Sequence, residues 1–293
     1  MTSLNIPSQL RRLIGSERGL PRGDREARVI AVCAQKGGVG KTTTAVNLAA
    51  GLAMRHGQRV LLVDMDGQGH CASALHAELR GTATEALSGI LLGRRRDVQE
   101  IALPTAIPGL SVCPSDKDLG AAEGVMAGKI GKEFLLRSAV KVARTHYDTI
   151  VVDCPPNLGN LTVNALLAAD WLLVPCDMSM LSVEGVDDIF ETLETVSDAL
   201  GHHLSVLGVL RTRYDARNQK VNEAVEASLS RYARWVLPTV IPVNTTLAQA
   251  QLEGRPIFGF DDRCRGAQAY AELVDEVVVR TGAAGGPERY APM

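Results

Sequence analysis

Lysine is scarce in this chain, with seven among 293 residues against 24 arginines. Any lysine inside a motif is therefore informative. Aromatic residues make up only 4%, which disfavours the stacking platforms that single-stranded nucleic acids use and leaves an aliphatic core. No run approaches the roughly 18 apolar residues of a membrane-spanning helix. The six cysteines, at 33, 71, 113, 154, 176 and 264, never fall at C-x-x-C spacing. A zinc ribbon or a thioredoxin-type site thus has no sequence support. Several of them sit in apolar runs, as reduced, buried cysteines do. No secretory leader precedes the first apolar run, so a reducing cytoplasm is the expected compartment. Net charge is also nearly absent, at −2. That excludes a uniformly basic nucleic-acid coat but not a local patch. The 46% hydrophobic content is enough for a folded core.

An alternating pattern begins at Arg28. Val29-Ile30-Ala31-Val32-Cys33-Ala34 is continuously apolar, as a strand buried on both faces must be. Thr42 to His56 carries Ala45, Leu48, Ala49, Leu52 and Ala53 on one stripe and ends at Gly57. Further buried strands are predicted at 60–64, 149–153, 171–175 and 204–210. Helices are predicted at 131–145, 159–169, 183–200 and 217–229. Such alternation implies one α/β domain: a mostly parallel, twisted sheet with helices on both faces. Its expected bounds are 29–281. Residues 1–28 hold six arginines against three acids and read as a flexible basic extension, or as an arm for DNA, membrane or a partner. Residues 282–293 read as a flexible tail.

The strongest motif is Gln35-Lys36-Gly37-Gly38-Val39-Gly40-Lys41-Thr42-Thr43-Thr44. It follows a buried strand and opens a helix, the setting a P-loop requires. The glycines let backbone N–H groups wrap phosphate oxygens at a helix N-terminus. Lys41 is placed to reach the β- and γ-phosphates, and the Thr42 hydroxyl to coordinate Mg²⁺. Gln35 stands where the common pattern has its first glycine, and a second lysine, Lys36, lies inside the loop.

The run from Lys36 to Thr43 resembles the deviant Walker A motif of the ParA/MinD superfamily of P-loop ATPases. The resemblance implies a P-loop NTPase fold, ATP and Mg²⁺ as cofactors, and slow ATP hydrolysis. It implies a nucleotide-sandwich homodimer in which Lys36 reaches the partner's phosphates, and where a lysine would offset charge developing in phosphoryl transfer. Lys36, Gly37, Gly38, Val39, Gly40, Lys41, Thr42 and Thr43 are the implied nucleotide contacts.

Two aspartates, Asp64 and Asp66, follow the 60–64 strand, at the edge where open parallel sheets bind ligands. The segment is similar to the family's D-x-D-P-Q-G, with Gly67 in place of proline. This implies that Asp66 serves hydrolysis and the metal shell. Asp64 reads either as a site carboxylate or as a helix cap. Asp153 ends another apolar strand and resembles the Walker B aspartate, so Thr42, Asp66 and Asp153 form the implied metal set. Cys154 lacks the glycine-flanked context of the iron–sulfur relatives, which argues against a cluster. The segment Ile241-Pro242-Val243-Asn244 with Gly254-Arg255-Pro256 is similar to the family's adenine region, implying base contacts at Pro242 and Asn244.

The 272–280 segment is acidic with a single arginine, unlike the basic membrane helix of MinD-type relatives. Stable membrane insertion is not expected. Residues 205–236 hold Arg211, Arg213, Arg217, Lys220, Arg231 and Arg234 against three acids. This is a candidate stripe for non-specific DNA, which arginine–phosphate contacts can hold without sequence readout. The same residues also fit an ordinary solvated face. The resemblance therefore implies a cytoplasmic, nucleoid-associated switch that positions cargo with a ParB-like or cargo-adaptor activator. An alternative is a regulatory ATPase of an envelope complex that binds no DNA.

Overall fold

The computed structural model describes residues 23–282. The predicted tail from 283, and residues 1–22 of the predicted extension, lie outside the described residues. The rest of that extension is tied to the body. Arg25 N–H donates to Thr145 O and Ala27 N–H to Arg144 O, while the Arg25 guanidinium pairs with Asp148.

Eight strands form one sheet: β1 (Arg28–Val32), β2 (Val60–Asp64), β3 (Leu103–Pro104), β4 (Leu110–Cys113), β5 (Thr149–Asp153), β6 (Trp171–Asp177), β7 (Ser205–Tyr214) and β8 (Val236–Pro242). Their order is β3-β4-β2-β5-β1-β6-β7-β8. All pairings are parallel except β3 with β4. The chain winds outward from β1 in both directions. The crevice at the carboxyl ends of β1, β5 and β6 is therefore the topological switch point where such sheets bind ligands.

Strand alternation divides the core in two. Val29, Ala31, Leu61, Val63, Ile150 and Val152 point to one face. Ile30, Val32, Val60, Leu62 and Val151 point to the other. The second face is covered by α1 (Lys41–His56), with the five stripe residues predicted from sequence all buried in it. Gly57 closes this helix in the left-handed conformation, φ 62°, its N–H reaching Ala53 O. The C-terminal helix Arg265–Gly282 packs beside α1. A Cβ on Gly51 would stand 2.5 Å from Val274 Cγ2, so glycine sets how closely the two helices approach. The opposite face is covered chiefly by helices Asn160–Ala168 and Met180–Leu200.

Two predicted elements differ most. The 131–145 helix is broken into Lys132–Phe134, Leu135–Ala139 and Ala143–Thr145. The Leu136 N–H is taken by Asn164 Oδ1 and the Val142 N–H by Asp97 Oδ2, so neither feeds a continuous helical ladder. Strand β7 runs four residues beyond the predicted 204–210 and carries Arg211, Thr212 and Arg213 along the carboxyl edge of the sheet.

Candidate functional site: a phosphate loop with a buried carboxylate pair

The loop 33–40 joins β1 to α1. Gly38 and Gly40 adopt φ 79° and 90°, conformations open to glycine at little cost. A Cβ on Gly37 or Gly40 would meet nothing within 4 Å, so the loop faces open space. Helix α1 has no side-chain cap and no acid in its first turn. Its positive end is therefore available to an anion. Two neighbouring residues of β7 brace the loop. Thr212 Oγ1 donates to Val39 O at 2.8 Å, and Arg213 Nη1 to Gly38 O at 3.1 Å.

Lys41 is buried, and its Nζ donates to Lys36 O at 2.9 Å, which places the ammonium within the loop. Thr42 Oγ1 donates to Asp153 Oδ2 at 2.7 Å. That same oxygen accepts from the Cys71 thiol at 3.4 Å. Asp153 Oδ1 is buried and has no hydrogen-bond partner, an arrangement costly enough to need a reason. Asp64 lies alongside, its two oxygens accepting from the N–H groups of Asp66 and Cys71, each at 3.0 Å. Burial raises both carboxyls well above the usual range. The Asp153 charge raises Asp64 further, whereas hydrogen bonds from Thr42 and Cys71 and the charge of Lys41 restrain Asp153.

The predicted metal set named Asp66 with Thr42 and Asp153. Among the described His, Cys, Asp and Glu side chains, the potential ligand atoms that converge to within 4.8 Å belong to Asp64, Cys71 and Asp153. Asp66 is half-buried at the rim, its Oδ1 accepting from Gln68 N–H at 3.0 Å and its carbonyl from Ser115 Oγ. The short turn after β2 separates the two aspartates: Asp64 is fully buried and accepts from an N–H of the next helix, whereas Asp66 is half-buried and accepts within its own turn. Cys71 was missed, because nothing in its local pattern signals that it will meet a carboxylate 82 residues away.

Lys36 Nζ donates to Ser179 Oγ at 2.9 Å and lies 3.5 Å from Asp177 Oδ1. Asp177 in turn accepts from Ser179 and Ser182 hydroxyls at 2.6 and 2.5 Å. These hydrogen bonds and the lysine charge hold its carboxyl below the usual range despite the opposing effect of burial. Asp177 also ends an apolar strand, so the signal used for Asp64 and Asp153 was present. The predicted strand stopped two residues short of it.

On the other side of the loop, a cavity of about 400 Å³ is lined by Gly38, Thr43, Arg213, Pro242, Asn244 and Tyr270, among others. Its size suits a nucleoside. Asn244 Oδ1 is committed to capping the next helix through Thr246 N–H at 2.8 Å, which fixes that side chain at the cavity wall.

Comparison with known proteins agrees with this geometry. A family model described as an AAA domain matches residues 27–206. The chromosome partitioning protein ParA of Caulobacter vibrioides is 38% identical over 255 residues, spanning 86% of this chain and 94% of the relative. The sporulation initiation inhibitor protein Soj of Bacillus subtilis is 39% identical over 250 residues, spanning 85% and 98%. This chain belongs to the ParA/MinD family of P-loop ATPases. A cobyrinic acid a,c-diamide synthase from Mycobacterium smegmatis, solved with an ATP analogue and magnesium, superposes with a TM-score of 0.75 at 29% identity, over 90% of this chain and all of that one. ATP and Mg²⁺ are the cofactors of this ParA/MinD ATPase, and ATP hydrolysis is its activity. The residues present fit the ion: Mg²⁺ takes hard oxygen ligands, and the Thr42 hydroxyl and the orphaned Asp153 oxygen are of that kind and lie at the loop.

The candidate DNA stripe of this ATPase is less uniform than its sequence suggested. Arg211 is half-buried, pairs with Glu226 at 3.0 Å and donates to Leu237 O. Arg213 is bound to the phosphate loop. Arg217 pairs with Asp215 at 2.7 Å, and Arg231 with Asp187 at 2.6 Å. Arg234 lies over the Trp235 ring, 3.8 Å from its centroid, and Lys220 is exposed. Extension of β7 and pairing with nearby acids thus split the stripe. Among the described residues, no helix is long and apolar enough to cross a membrane.

Proposed function

We propose that this ATPase is an ATP-dependent dimerising switch that positions cargo on DNA in the cytoplasm. The carrying observation is the second loop lysine, Lys36. Its ammonium lies outside the loop, at the carboxyl edge of the sheet and a third exposed, where a facing copy of the chain can be met. Lys41 and the loop amides hold the phosphates, with Pro242 and Asn244 beside the base. Thr42 and Asp153 hold the metal, which when bound offsets negative charge on the phosphates. Asp66, at the rim, orients the attacking water. Lys36 supplies charge to the partner's nucleotide. Partitioning is the activity named for the ParA relative, and it supports a DNA-bound carrier released by an activator of ParB-like or cargo-adaptor type.

Exposed Arg217, Lys220, Arg231 and Arg234 are the DNA contacts in this reading. Paired arginines still present N–H groups to phosphate, but at reduced net charge. DNA binding is therefore weak and salt-sensitive. The test is retention of duplex DNA with ATP, with ADP and without nucleotide at about 50 mM salt, repeated at about 500 mM. ATP-dependent retention lost at high salt supports the proposal. Equal absence of retention in all low-salt arms overturns the DNA component. That outcome favours a second reading, an ATPase regulating an envelope complex, which the neutralised Arg211, Arg217 and Arg231 already suit.

A further inference from the structure

Arg213 is exposed yet tied to the phosphate loop, and its backbone is unusual. It is the only non-glycine residue with positive φ among the described residues, at 52°. Side chains rarely adopt that conformation unless surrounding structure enforces it, and such residues cluster at functional sites. The enforcing contacts are visible. Thr212 is fixed to Val39 O at 2.8 Å, and β7 is irregularly paired with β8 between Arg211 and Tyr214. The turned backbone sends the guanidinium to Gly38 O, and Nη1 stands 4.0 Å from where a Gly38 Cβ would lie.

This position divides the site. Lys41, Thr42 and Asp153 form the end that takes the outer phosphates and the metal. Pro242 and Asn244 line the adjoining cavity, whose wall Gly38, Gly40, Thr43 and Arg213 share. A permanent cation that is bonded to the loop and also lines the Pro242–Asn244 cavity is placed for the phosphate nearest the nucleoside. We propose that Arg213 is a nucleotide-binding residue whose guanidinium contacts the α-phosphate of the bound adenine nucleotide. The Gly38 carbonyl occupies one of its N–H groups, and a guanidinium has five, so loop bracing and phosphate contact are compatible.

The assignment rests on the nucleotide reading of the loop and cavity, and its test separates the two. Affinities for ADP, AMP and adenosine are measured by competition against a fluorescent ADP analogue, for the wild-type chain and for Arg213→Gly and Arg213→Lys. Glycine tolerates the 52° φ, so Arg213→Gly relieves strain and is expected to fold; its melting curve checks this. The expected result is about a tenfold loss of ADP and AMP affinity in Arg213→Gly, unchanged adenosine affinity, and recovery of most of the loss in Arg213→Lys. ADP affinity within twofold of wild type in folded Arg213→Gly overturns the proposal, as does an equal loss for adenosine, which would mark a shape effect. Failure of the wild-type chain to bind ADP would instead overturn the nucleotide reading itself.

Discussion

Lys36 and Asp177 face each other across the carboxyl edge of the sheet, with Nζ 3.5 Å from Oδ1 and held to Ser179 Oγ at 2.9 Å. The loop lysine is thus engaged within its own subunit. A contact with a partner's phosphates must displace this one. Partly exposed ion pairs contribute at most about 1 kcal/mol, so the contact is weak enough to exchange.

We predict that Asp177→Asn shifts the ATP-dependent monomer–dimer equilibrium toward dimer by up to about fivefold, the equivalent of about 1 kcal/mol. Lys36→Ala is expected to weaken dimerisation and leave ADP affinity of the monomer within about twofold. Sedimentation with and without ATP reads both. A Lys36→Ala protein that dimerises like wild type removes the lysine from the interface.

Lys41→Ala is expected to lose ATP and ADP affinity by at least about 30-fold. The phosphates then lose a buried cationic partner, a change worth roughly 2–5 kcal/mol. Calorimetric titration with Mg-ADP measures it. Retained affinity would mean that phosphates do not sit in this loop.

For Asp66→Ala the expected separation is different: ATP binding is kept while turnover falls at least about 100-fold, within the range for loss of a positioned acid–base or water-orienting group. Single-turnover hydrolysis and bound ATP, measured together, test this. Wild-type turnover removes Asp66 from its proposed role.

The Asp64–Asp153 pair predicts an unusual pH dependence. Both carboxyls have folded pKa values above the unfolded value of 3.8, Asp64 near 7. The folded state therefore binds more protons than the unfolded state between about pH 4 and 7, and stability falls as pH rises through that window. Nucleotide-free protein should melt higher at pH 6 than at pH 8. Asp64→Asn should flatten the difference, because it removes one of the two raised carboxyls. A melting temperature that rises with pH across this range contradicts the assignment.

Gly51→Val is expected to destabilise the chain by roughly 2 kcal/mol, since even a Cβ would meet Val274 Cγ2 at 2.5 Å between α1 and the C-terminal helix. Urea unfolding tests it, and unchanged stability would show that the helices can part freely.

Much of this protein was legible along the chain. β2 and β5 match their predicted bounds, because buried parallel strands are uninterrupted apolar runs. The phosphate loop was legible because its chemistry is local: glycines, two rare lysines and a threonine lie within eight residues between a strand and a helix. Asp153 was legible for the same reason, as a charge ending an apolar run.

Only the tertiary structure decided which distant groups meet. Cys71 and Asp64 join Asp153 because parallel register sets Asp64 beside Asp153, a relation absent from either segment alone. Asp177 meets Lys36 because β6 pairs directly with β1. Arg213 left the basic stripe because β7 continues past its apolar run, carried by pairing with β6 and β8 rather than by its own hydrophobicity. Local periodicity reports which face of an element is buried. Register, strand length at the sheet edge and charge pairing depend on neighbours far away in sequence, and those relations fix the finer chemistry of the site.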